Sequence, residues 1–157
     1  MAAIVDDFNH QLSKLLKETF EAGGRFYLED GAGLFPTLDT ITHEVASRVP
    51  FPGAPSIAAH CAHVDYYVRV NRNAIVGREE NVDWSSSWRL HAVGAGEWAD
   101  LKNRLRSGYD ELTASLHALT AWRADAVCDG MAIVAHTAYH LGAIRQIRRL
   151  LESSGHR

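Results

Sequence analysis

Residues 126–153 read AVCDGMAIVAHTAYHLGAIRQIRRLLES, and their spacing predicts one long helix. Ile133, His136, Thr137, His140, Ile144, Ile147 and Leu151 recur at three- and four-residue steps, so they share one face. Arg145, Arg148 and Arg149 crowd its C-terminal part, where cations favour the helix dipole. A helix with one buried stripe needs partners to cover it, and three other long segments carry the same period.

The first of these runs from about Ala3 to Ala22. Ile4, Phe8, Leu12, Leu15 and Phe20 lie near one side; Asp6, Asp7, Lys14 and Lys17 fall off it. Gly23-Gly24 stops it. The second runs from Ser56 to about Val76, with Ile57, Cys61, Val64, Val68 and Ile75 as its stripe and His60 and His63 at the border. The third runs from about Glu97 to Thr120, with Trp98, Leu101, Leu105, Leu112, Leu116 and Leu119. A shorter helix is predicted over Pro36 to Val49, with Leu38, Ile41, Val45 and Val49 inward. The stretch from Arg78 to Gly96, with DWSSSW inside it, shows no period and reads as a long loop. No segment alternates with period two. The expectation is an all-α four-helix bundle with long inter-helix loops, formed as a single domain over residues 1–157.

Composition narrows the function. The chain has 157 residues, 46% hydrophobic and 22% charged, which suits a globular domain and not a disordered one. A net charge of −3 argues against a general nucleic-acid binder. Two cysteines make no disulfide framework, and Asp6 and Asp7 interrupt any leader-like start. Met131 to Ile144 carries no Asp, Glu, Lys or Arg but is too short and too polar to span a bilayer. These features predict a cytoplasmic protein with no membrane partner. The outlier is histidine, with nine residues.

His136 and His140 stand one helical turn apart on the face that should be buried. Burying an imidazole without a partner is unfavourable, and two neutral rings one turn apart can chelate a divalent ion. The plainer reading is two core histidines bonded to side chains or water. A zinc-protease motif is excluded, because Thr137 stands where the catalytic Glu would follow the first His. A di-iron bundle is excluded, because the chain has no Glu-x-x-His. A third ligand would come from SIAAHCAHVDYY, where His60 and His63 both edge onto the inward face. The one not used reads as an orienting or interfacial residue. Cys61 reads better as a small core residue, and Asp65 should point away from His63 toward solvent. Tyr67, one turn after His63, is the best-placed phenol for a catalytic role; Tyr66 and Tyr139 are weaker candidates. Trp84 and Trp88 suggest an aromatic wall for a substrate, or simply anchors for the loop. His10, His43 and His117 fall off the stripes, His91 lies in the loop and His156 in a tail.

A Ser-initiated helix with His seven residues on (Ser56 to His63), a Trp-containing loop and a last helix with H-x-x-x-H-L-G-x-I (His136 to Ile144) resemble the DinB-like, or YfiT-like, superfamily. The resemblance covers most of the chain, up to about Leu151. It implies a bundle whose histidine triad holds a divalent metal, usually zinc or nickel, in a protein that is commonly a homodimer. Carried over by position, the triad is His63, His136 and His140, with His60 as the alternative on the second helix. Members of that superfamily include S-transferases that use bacterial low-molecular-weight thiols as co-substrate, an isomerase that uses mycothiol, and proteins with no known reaction. A metal-dependent transferase or hydrolase acting on a small-molecule substrate is therefore the leading expectation. A non-catalytic dimeric metal-binding or stress-response bundle is the alternative, and a fourth ligand from Cys61 or a carboxylate would favour it. Metal binding by histidine is expected to weaken as pH falls through about 6.5.

Overall fold

Helices make up all the regular structure in the computed structural model, which describes residues 2–21, 23–78 and 80–154. They are α1 (Ala2–Phe20), α2 (Leu34–Asp39), α3 (His43–Ser47), α4 (Ile57–Ile75), a 3₁₀ turn at Trp84–Trp88, α5 (Ala95–Ala118) and α6 (Ala124–Ser154). Among the described residues no helix is long and apolar enough to cross a membrane.

The four long helices start and stop where local chemistry dictates. Ser56 caps α4 by accepting the Ala59 N–H. Glu97 reaches back to the Gly94 N–H at the head of α5. Beyond α1, Gly23 takes φ +133°, a conformation a side chain would resist. The stripes meet in one core: Leu12, Leu16 and Phe20 of α1, Cys61, Val64 and Val68 of α4, Leu101, Leu105, Leu112 and Leu116 of α5, and Ile133, Leu141 and Ile144 of α6 are all buried.

Contacts across the bundle fix its topology. α4 packs on α5 and α6, and α1 packs on the same two. Asp65 meets Arg104 and Arg72 meets Glu111, so α4 and α5 run parallel. His60 meets His140 and His63 meets His136, so α4 and α6 run antiparallel. Asn9 bonds to the Leu116 carbonyl and Tyr109 to Glu21, so α1 opposes α5. Two parallel neighbours cannot be joined by a short turn. The chain leaving α4, a helix of 19 residues and so roughly 28 Å long, must return along its whole length to begin α5. Residues 80–94 of that return segment run as a strap along α4: Asp83 bonds to Tyr66, Ser87 to His63, and the His91 carbonyl to Ser56. The long loop predicted there therefore has a structural cause, and it carries the 3₁₀ turn that its sequence did not announce.

Some expectations are corrected. The helix predicted over Pro36 to Val49 is two short helices, α2 and α3. Thr40 ends the first and Thr42 caps the second by accepting the Val45 N–H. Val49 is half exposed rather than inward. On α1 the buried leucine is Leu16, with Leu15 only half-buried, because Leu12, Leu16 and Phe20 form the stripe. Ile4 and Asp6 lie outside the residues whose side chains are described, and His156 lies outside the described residues.

Candidate metal centre

Ser56 places the first two turns of α4. Its hydroxyl accepts from Ala59 and donates to the His91 carbonyl at 2.7 Å, so one side chain ties the helix start to the strap. This turns His60 and His63 toward α6, where His136 and His140 wait one turn apart. Four imidazoles from two helices meet there. Nδ1 of His60 lies 2.8 Å from Nδ1 of His140, and Nε2 of His63 lies 3.0 Å from Nε2 of His136. One donor atom from each of His63, His136 and His140 falls within 4.8 Å of the others. His60, His63 and His140 are buried and His136 is partly so.

The hydrogen bonds fix where the protons sit. Ser87 donates its own hydroxyl to the Trp84 carbonyl at 2.6 Å, so it accepts from His63, whose Nδ1 lies 2.7 Å away. His63 then carries its proton on Nδ1 and presents a lone pair at Nε2. The proton between His63 and His136 must come from Nε2 of His136. Nδ1 of His136 is buried with no hydrogen-bond partner. Burial holds all four rings in the neutral form: it lowers the pKa of His60 and His63, takes His136 to about 4, and takes His140 to about 3 with help from the neighbouring imidazoles.

This arrangement fits a divalent cation. Neutral imidazole is the ligating form. Ligand nitrogens roughly 2.0–2.1 Å from one ion sit about 3 Å or slightly more apart, the separation His63 and His136 already have. The His63–Ser87–Trp84 chain is the support that a ligating histidine ordinarily has behind it. For a cation to take this position from both Nε2 atoms, the proton of His136 would move to its Nδ1. Among the described residues no thiol or carboxylate joins the three nitrogens. Cys61 is buried in the core, where burial pushes its thiol well above the usual range. Asp65 does point away from His63, toward Arg104 of α5. It is partly buried there rather than solvated, and burial raises its pKa against the pull of the arginine.

Aromatic rings enclose the cluster. Trp88 stacks on His63 at 4.1 Å and meets His60 edge-on at 5.5 Å. Tyr67 stacks on His136 at 3.5 Å, with burial and then Asp129 holding its phenol above its ordinary pKa. Trp84 sits against Tyr66 and Tyr67 and is 44% exposed. Tyr139 lies edge-on to His140 but is 73% exposed. Trp88 thus covers the histidines and Trp84 forms part of their rim. His10, His91 and His117 are exposed and His43 is half-buried beside Glu44. Sequence reasoning missed two members of this neighbourhood, Ser87 and Asp129. Ser87 is one of three consecutive serines, and only the 3₁₀ turn selects it; Asp129 lies two turns before His136, a spacing that places it on the same side of α6.

A family model described as the DinB superfamily matches residues 29–144, a span that contains all four clustered histidines, the strap and α4. Searches of curated proteins and of solved structures returned no match. The match extends over well more than half of the sequence and agrees with the helical bundle, and the chain belongs to the DinB superfamily.

Proposed function

We propose that the chain is a divalent-metal-dependent enzyme acting on a small molecule, with His63, His136 and His140 as the metal ligands. The observation that supports this reading is the meeting of three neutral imidazole donors within 4.8 Å, with no fourth protein ligand in the group among the described residues. Three histidines leave coordination positions for a reactant, whereas a structural site is closed by four protein ligands. Zinc and nickel suit an all-nitrogen set. The bound ion would supply Lewis acidity, which activates a thiol or a water as nucleophile and polarises an acceptor.

The chain's own groups suit thiol-dependent S-transfer or hydrolysis. Trp88 covers His63 and keeps water from that side of the ring. Tyr67 stays protonated at neutral pH, so its phenol would act as a hydrogen-bond donor or general acid toward a reacting group. Trp84 and Tyr139, both exposed beside the cluster, would hold the organic part of the substrate. In this reading the chain works as one domain and as a homodimer, in the cytoplasm and without a nucleic-acid partner. The exposed Met131 on α6 offers apolar surface for a second copy, and the net charge of −3 does not favour nucleic acid.

Elemental analysis of untagged protein, beside His63→Ala and His136→Ala, tests the reading. The expected result is near one equivalent of metal in the wild type and a large loss in both variants, with helical content retained. A wild-type chain that takes up neither zinc nor nickel when they are added sinks it. A metal-loaded protein inactive with every thiol and ester offered would leave the non-catalytic bundle as the better reading.

A further inference from the structure

We propose that His60 is a positioning residue for this centre: it accepts a hydrogen bond from Nδ1 of His140 and so keeps the lone pair of His140 on Nε2. The inference rests on the metal reading above. The two Nδ1 atoms are 2.8 Å apart, too close for anything but a direct bond, and one of them must donate. A neutral ring has one N–H, so the donor's other nitrogen is its lone pair. If His140 donates, its Nε2 is free to ligate and the proton of His60 sits on its own Nε2. His63 uses the same device on the same helix, giving its Nδ1–H to Ser87 and freeing Nε2.

His60 is well placed for this and poorly placed to ligate. Its donor atoms do not join the group of three, and its ring contacts are with His140 at 5.1 Å and with Trp88 edge-on at 5.5 Å. It is only 7% exposed, so no water competes freely for its Nδ1. Trp88 spans both histidines of α4, stacking on one and fixing the ring plane of the other. The strap therefore orients the ligand His63 directly and the ligand His140 through His60. His136 has no such support, since its Nδ1 lacks a partner and its ring is held by stacking on Tyr67.

The experiment joins two readouts. Long-range ¹⁵N–¹H NMR on metal-free, ¹⁵N-histidine-labelled protein assigns the tautomers, and competition with a chromogenic chelator gives the zinc affinity. In the wild type, His140 should be protonated on Nδ1 and His60 on Nε2. His60→Ala should let His140 revert to the Nε2–H tautomer and weaken zinc binding by about 10–100-fold, the loss typical of removing a ligand's outer partner. His60→Asn puts an amide oxygen near the place of Nδ1 and should restore the tautomer and most of the affinity. A purely structural role would not respond in this way to an acceptor atom. If His60→Ala binds zinc as tightly as the wild type, or if His140 keeps its Nδ1 proton in that variant, the inference fails while the metal centre stands. If the wild type binds no zinc, the metal reading fails and the inference falls with it. If His60→Asn folds but binds as weakly as His60→Ala, the accepting atom is not what His60 contributes, and the inference is overturned.

Discussion

Glu18 shows how much one side chain can organise. Its carboxylate is 4% exposed, and it accepts the backbone N–H groups of Arg25, Phe26, Tyr27 and Leu28 at 2.7–3.2 Å. Burial pushes the pKa up, and the four amides together outweigh it, so the net shift is downward. The turn after α1 is wrapped around this one charge. Glu18→Ala leaves several amides without an acceptor and should destabilise the protein by roughly 2–4 kcal/mol, measured by urea unfolding. Glu18→Gln keeps one oxygen and should lose less. An alanine variant as stable as the wild type would show that the loop finds other acceptors. Nothing in the sequence marks this glutamate, because its partners are backbone groups of the next segment and any residue there offers the same N–H.

At the scale of the element, the strap and α4 form one unit. The strap is long because α4 and α5 run parallel, and it is held at three levels by Tyr66, His63 and Ser56. Ser56 is the strongest of these ties, with 1% exposure and two hydrogen bonds, one within the helix cap and one across to His91. Ser56→Ala removes the cap and strands the His91 carbonyl. The expected loss is about 1–2 kcal/mol, or a fall in Tm of roughly 2–4 °C per kcal/mol. The same variant should raise amide exchange in residues 84–91 more than in α5, and uniform exchange would count against the strap acting as a unit with α4. At the other end of α6, Gly130 lets the helix close on α1: a Cβ there would meet Leu12 and the Trp122 ring at 3.0 Å. The serine cap was legible in the sequence, since capping is a local rule. The strap's path was not, because it follows from helix directions that no short window contains.

Over the whole molecule, the four clustered imidazoles, three buried and one partly so, make the fold sensitive to acid. In an unfolded chain each titrates near 6.5, while burial takes His136 to about 4 and His140 to about 3 in the fold and lowers His60 and His63 as well. With folded values below unfolded ones, the unfolded chain takes up protons first as pH falls. This contribution to stability is whole above about pH 6.5 and drains away toward about 4 and 3. The Tm of metal-free protein should therefore hold from about pH 8 to 7 and drop between about 6 and 4, and His140→Gln should shallow the drop. A Tm unchanged down to about pH 5 would refute the linkage. If the proposed metal reading holds, the same lowered values should let metal binding persist below the pH of about 6.5 expected of free imidazole, as a zinc titration at about pH 6 would check. The sequence by itself determined four amphipathic helices, their starts at residues such as Ser56, the glycine stop after α1, and two histidines one turn apart on a buried face. All of these depend on neighbours within a few positions, where periodicity and capping act. Only the tertiary structure decided that His63 meets His136 while His60 meets His140, that one serine of three bonds to His63, and that Trp88 covers the cluster. Those contacts join residues 24–80 positions apart, and they depend on the direction and register of packed helices, which a one-dimensional pattern leaves open.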